Sequence, residues 1–100
     1  MNNVVYGDFE WDEAKARRNI RVHGISFTEA TSVWDDPLAV YERSRRHSIR
    51  EDRYVIIGQS EKKRLMAVAY TVRRRLRIIS ARKLTPRERR EYENQTEAVW

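Results

Sequence analysis

The sequence predicts a single α+β domain in which an antiparallel sheet is flanked by two N-terminal helices and one C-terminal helix, in the order β-α-α-β-β-β-β-α. Three observations carry this reading. Between residues 38 and 82, four short runs rich in β-branched and aromatic residues are separated by polar turns. The gaps between them are too short for crossover helices, so consecutive strands pair mainly antiparallel, as a meander. Helix-start signals occur twice before the meander and once after it. A chain of 100 residues, 40% of them hydrophobic, suits one domain spanning 1–100 and excludes the sparse apolar content of a disordered chain.

Taken in order, Val4 to Trp11 reads as a strand with apolar residues on both faces. It ends at Asp12, an N-cap for a helix running to about His23, where Gly24 supplies the stop. Ala16, Ile20 and His23 mark the inner stripe of that helix. Ser26 and Glu29 form an S-x-x-E capping box, with Ile25 and Ala30 as its hydrophobic staple, opening a second helix that presents Phe27, Ala30 and Trp34 on one face. Pro37 ends it near Asp36, because proline disfavours helical backbone in the residue before it. The strand runs are Leu38 to Arg43, Arg53 to Gly58, Arg64 to Thr71 and Arg75 to Arg82. In the third, alternate residues are apolar on both sides, which makes it central. Thr85, Pro86 and Glu88 repeat the N-cap, N1 and N3 pattern and start the last helix. The helices are expected on one face of the sheet, with the other face partly open.

Charge narrows the function. The net charge of +6 is polarised: residues 1–40 hold four basic and seven acidic side chains, a balance of −3, whereas residues 41–100 hold seventeen basic and eight acidic, a balance of +9. Arginine supplies most of the excess, and its planar fork grips phosphate at two points. A polyanion, nucleic acid above all, is the expected partner. The longest uncharged run, Leu65 to Val72, falls far short of the ~20 residues of a membrane-spanning helix, and the first residues lack a basic-then-apolar leader. With no Cys and only two His, the expectation is a cytoplasmic protein without disulfides, metal or cofactor.

Several constellations could carry chemistry. The segment from Arg45 to Arg53 concentrates four Arg, His47, Glu51 and Asp52 between the first two runs of the meander. It reads either as a phosphate-gripping loop with a proton shuttle, His47 having an ordinary pKa near ~6.5, or as a solvated connection laced with charge pairs. Tyr70, Arg73, Arg75, Arg77, Arg82 and Lys83 lie on and between the last two runs. Alternation forbids their sharing one face unless a bulge intervenes. Glu88 and Tyr92 share a helical face, although Glu88 is accounted for by the capping box and Tyr92 by an anchor to the sheet. His23 reads as a helix C-cap. Asp35 and Asp36 oppose the dipole of the helix they end, which points to a partner cation or a turn role.

The ordered set Phe9-Glu10-Trp11-Asp12, Lys15, Asn19, His23-Gly24, Ser26-Phe27, Glu29-Ala30, Asp36-Pro37, His47-Ser48, Glu51, Arg53, Ile57-Gly58, Tyr70-Thr71, Arg73, Ile78 to Arg82, Glu88-Arg89 and Tyr92 resembles the BrnT family of type II toxins over about residues 8 to 93. The chain departs from the family pattern at Val22, where Lys often precedes His-Gly, and at Arg45 and Arg46, where an acidic residue often precedes His-Ser. The resemblance implies a RelE-like fold, an endoribonuclease that arrests translation by cutting RNA without metal, and a cognate BrnA-type antitoxin through which operator DNA is bound. On that basis the expected catalytic residues are His47, Glu51, Arg82, Lys83 and Tyr92, with Arg53, Tyr70 and Arg73 binding substrate. Arg82 and Lys83 would stabilise the phosphate, Arg53 and Arg73 position it, His47 or Glu51 accept a proton, and Tyr92 orient or donate. The alternative is a non-catalytic module that binds RNA or regulates its operon by pairing with an antitoxin.

Overall fold

A computed structural model describes residues 2–43 and 52–97. Strands β1 (Asn3–Tyr6) and β2 (Phe9–Asp12) lead into helix α1 (Glu13–His23), a short helix α2 (Phe27–Thr31) and a 3-10 turn (Ser32–Asp35). Strands β3 (Val40–Arg43), β4 (Tyr54–Gln59), β5 (Leu65–Val72) and β6 (Leu76–Arg82) then precede helix α3 (Pro86–Glu97). The six strands form one mixed sheet in the order β1-β2-β6-β5-β4-β3. The predicted meander is present, with β3, β4, β5 and β6 pairing antiparallel in succession. As expected, β5 is interior.

The N-terminus differs from the expectation of one strand. Val4 to Trp11 is instead a hairpin, with Tyr6 paired to Phe9 across Gly7 and Asp8. Gly7 has φ +59°, the conformation that a type II′ turn demands at its first central residue and that glycine adopts without steric cost. Its return strand β2 lies parallel to β6, pairing at Phe9 with Leu76 and Glu10 with Arg77. The element order is therefore β-β-α-α-β-β-β-β-α.

The cap residues Asp12, Gly24 and Ser26 behave as the sequence predicts, although the Glu29 side chain does not close the capping box with Ser26. Asp12 accepts from the Lys15 amide, Gly24 closes α1 in the left-handed region at φ +69°, and Ser26 Oγ accepts from the Glu29 amide at 3.0 Å. The inner stripe of α1 does not. Ile20 is 50% exposed, while Asn19 beside it is buried, because polar groups at the sheet edge, described below, require the amide.

Both faces of the sheet are covered in part, a second departure from expectation. One face packs Trp11, Phe27, Ala30, Val33, Ile56 and Met66 with α1 and α2 in the main core. Each such fully buried large side chain contributes roughly 1.5–3 kcal/mol. On alternate positions of the same strands, Val55, Ile57 and Ala67 form a smaller cluster with Tyr92 of α3. Helix α3 packs against β3 and β4. Among the described residues, no helix is long and apolar enough to cross a membrane.

Candidate functional site

Strand β6 organises the region where Arg82 and Lys83 fall. Along its outer side β2 reaches only Leu76 and Arg77. Further on, Asn19 of α1 takes the place of a neighbouring strand: its amide donates to the Ala81 carbonyl at 2.9 Å and accepts from the Ala81 N–H at 3.1 Å. A further 2.9 Å bond to the Ile25 carbonyl completes its partners. One buried side chain thus satisfies the edge of the strand that leads into Arg82.

Arg82 is held by Glu88. Its two terminal nitrogens meet the two carboxylate oxygens at 2.8 and 3.0 Å in a bidentate fork. Glu88 also accepts from the Thr85 amide at 2.9 Å, and its own amide donates to Thr85 Oγ1 at 3.2 Å, so the predicted capping box is reciprocal. The Arg82 hydrogen bonds keep the Glu88 carboxyl below its usual range despite burial, and the same bonds raise Arg82. The Arg82 side chain remains 39% exposed, so its charge is oriented from beneath and open above. Lys83 beside it is exposed. Tyr92 is anchored: its hydroxyl donates to Asp36 Oδ2 at 2.7 Å, and burial followed by that bond pushes the phenol up to about 12.

Arg53, Tyr70 and Arg73 lie at the other end of the sheet. Arg73 is exposed in the β5–β6 turn, where its amide donates to the Arg75 carbonyl, and Arg53 precedes β4 half-buried. Tyr70 is buried in the core, with its ring against Trp34 at 5.0 Å and Tyr54 at 5.7 Å between centroids. Burial raises its phenol. An Arg43–Asp52 ion pair and a 2.7 Å bond from Thr71 Oγ1 to the Asp52 carbonyl close the neck of the 44–51 connection at this end. His47 and Glu51 are on that connection and lie outside the described residues.

The candidates therefore form two groups rather than one. Leu76 and Arg82 stand six residues apart along β6, about 20 Å at ~3.3 Å per residue. Between them a bulge falls where Ala69 pairs with Ser80 but Tyr70 pairs with Ile78. It reverses the alternation, placing Arg77 on the same face as Ser80 and Arg82. Arg77 is engaged by Glu10 at 3.0 Å and Asn3 at 2.6 Å, while Ala69, Ile79 and Ser80 are half-buried.

Some polar residues have roles the sequence did not disclose. Glu29, read as a capping partner, turns inward instead, 2% exposed, and accepts from Ser60 Oγ at 2.7 Å and from Nε and one terminal nitrogen of Arg64. Asp36 serves as a turn residue, accepting from the Leu38 and Gln59 amides at 2.9 and 2.8 Å besides Tyr92. The exposed ring of Tyr41, beside Tyr54 and Tyr70, is a further aromatic group that was missed. Its alternation within Val40–Arg43 was the available signal.

Residues 11–88 match the family described as ribonuclease toxin, BrnT, of type II toxin–antitoxin systems. The crystal structure of the Brucella abortus ribonuclease toxin BrnT is similar to this chain, with 26% identity and a TM-score of 0.58 over 75% of this chain and 92% of that one. No curated protein sequence matches the chain.

Proposed function

The chain belongs to the BrnT family of type II toxin–antitoxin ribonuclease toxins and is an endoribonuclease; from that premise we propose that it cuts RNA laid across the half-buried strip of β5 and β6, without metal, in the cytoplasm. The observation that carries this reading is the strip itself. Small, half-buried Ala69 and Ser80 lie between a cationic end at Arg53 and Arg73 and another at Arg82 and Lys83. A backbone of phosphates follows such a line of charges.

In the proposed reaction, the 2′-hydroxyl oxygen of a ribose attacks the adjacent phosphorus as the bond from phosphorus to the 5′-oxygen breaks. The hydroxyl proton passes to a base and the leaving oxygen receives one from an acid, giving a 2′,3′-cyclic phosphate and a 5′-hydroxyl. His47 or Glu51 is the proton acceptor, on a connection rooted beside Arg53 and Arg73. Arg82 and Lys83 offset the charge that builds on the phosphate oxygens, with Glu88 orienting Arg82. Arg53 and Arg73 position the backbone, and Tyr70 supports that end from the core. Tyr92, whose one hydroxyl proton goes to Asp36 from a buried position, acts by orienting α3, the helix that carries Glu88, rather than by donating to RNA.

Two N-terminal helices, an antiparallel meander and a C-terminal helix support a RelE-like arrangement. Cutting messenger RNA would arrest translation, and a BrnA-type antitoxin, itself the link to operator DNA, is the proposed neutralising partner. The test is incubation of the purified chain with RNA in excess chelator. Fragments ending in 2′,3′-cyclic phosphate, lost with Arg73→Ala or Lys83→Ala, are expected. Uncut RNA, or cleavage that both variants retain in full, would overturn the reading.

A further inference from the structure

Two hollows meet at His23. One, about 390 Å³, lies between α1 and the bulged part of β6, with Lys15, Arg18 and His23 on its border and Val22 and Ile79 among its walls. The other, about 350 Å³, brings His23 together with Arg64, Lys83 and Arg89 over Leu65 and Leu84. Among the described residues, no carboxylate lines either hollow. Arg64 shares its charge with Glu29, but Lys15, Arg18, Lys83 and Arg89 have no carboxylate partner among the described residues. A third hollow, of about 250 Å³, is bordered by Asp35, Asp36 and Glu61 and has the opposite sign.

Each basic hollow lies within the ~300–1,000 Å³ range of small-ligand sites. Apolar walls under a cationic border match a nucleotide, whose base needs a surface to rest on and whose phosphate needs charge. Lys83 connects this groove to the strip of β5 and β6. We propose that the double hollow at His23 is a subsite for single-stranded RNA, holding two successive nucleotides to one side of the cleavage position. Lys15 and Arg18 take one phosphate, Arg64 and Arg89 the next, and His23 lies between them. The identity of the ligand rests on the ribonuclease reading above; the charge and shape of the groove do not.

The test uses the full chain and a fluorescein-labelled 2′-O-methyl RNA of about ten nucleotides, inside the ~4–16 nucleotides of single-strand sites, which lacks the free hydroxyl needed for cleavage. Binding is followed by anisotropy as salt is raised. Each single-strand phosphate contact adds ~0.7 to the slope of log affinity against log salt. An Arg18→Gln/Arg89→Gln double variant should bind more weakly, with the slope lowered by ~1.4. Val22→Glu, which brings a carboxylate into the first hollow from an exposed position, should also weaken binding. Wild-type affinity and slope in both variants overturn the subsite, as does unchanged RNA binding with loss of an acidic protein partner. A chain that binds the oligonucleotide in this variant-sensitive way yet leaves natural RNA uncut contradicts the ribonuclease reading and leaves the groove in place.

Discussion

The hydroxyl of Tyr92 donates a 2.7 Å hydrogen bond to the carboxylate of Asp36, joining the C-terminal helix to a turn 56 positions earlier in the chain. Asp36 simultaneously accepts from the amides of Leu38 and Gln59. This explains an acid at the end of a helix whose dipole disfavours it: the carboxylate serves the turn and the start of the sheet, and α3 attaches to it.

Tyr92→Phe should cost about 1.5 kcal/mol, the lower end of the ~1.5–3 for a hydrogen bond to a charged group, since two amide donors still serve Asp36. Asp36→Ala should cost more, because it strands three donors at once. Urea unfolding of both variants checks the order. A Tyr92 phenol raised from 10.0 to about 12 stabilises the fold fully below pH 10, and this contribution is lost as pH rises through about 12. Tyr92→Phe should lose stability less steeply over that interval.

Gly58 is required by close approach. A Cβ there would meet Asp36 Oδ2 and Val33 Cγ1 at 3.0 Å and Ala39 Cβ at 3.3 Å. Gly58→Ala should therefore destabilise by about 1–3 kcal/mol, as overpacking does. A melting temperature equal to that of wild type would show that the turn at Asp36 yields freely.

Local rules made much of this fold legible. Asp12, Gly24, Ser26 and Thr85 announce their caps because capping depends on residues three or four positions away. The meander follows from gap length alone. What escaped was set by distant partners. Asn19 is buried because Ala81 lacks a strand neighbour on its outer side, and Glu29 turns inward because Arg64 and Ser60 wait there. The bulge that re-aims Arg77 was visible only as a condition for a shared face. Of the candidate residues, Arg82 and Lys83 were placed together by adjacency. Their separation from Arg53 and Arg73 is a matter of strand length and register, which no short motif encodes.

Asn19 offers a direct measure of the sheet edge. Asn19→Ala removes three hydrogen bonds and leaves the Ala81 N–H and two carbonyls unpaired in a buried place, at a cost of roughly 2–4 kcal/mol by the ~1–3 kcal/mol typical of such groups. Asn19→Asp keeps the acceptor but removes both donors and should be no better. Hydrogen exchange at the Ala81 amide should accelerate in Asn19→Ala beyond what global destabilisation accounts for; protection tracking global stability alone would refute the edge role.

Glu29 and Glu88 make the protein acid-sensitive. Arg64 first of all holds the Glu29 carboxyl low against the opposing effect of burial, and Arg82 does the same for Glu88. A depressed folded pKa gives stability that is present above the unfolded value of 4.5 and is lost as pH falls through the lower folded value. Thermal melts should fall over that acid interval, and a Glu29→Gln/Glu88→Gln chain, although less stable at neutral pH, should show a flatter decline.

The Arg82–Glu88 fork separates support from chemistry. Removing one partner of a fully buried pair costs ~3–5 kcal/mol; with the Arg82 side chain 39% exposed, solvent should reduce this to about 2 kcal/mol for Arg82→Ala. Glu88→Gln also breaks the charged fork but keeps the guanidinium in place above the strip. If Arg82 meets the phosphate, Arg82→Ala should lower kcat/KM by ~10²–10³ and Glu88→Gln by much less, although their stabilities change by similar amounts. Arg82→Lys, which keeps the charge and loses the bidentate geometry, should fall between them. Activities that merely follow the folded fraction of each variant would make Arg82 a strut for α3 and move the phosphate contact to Lys83.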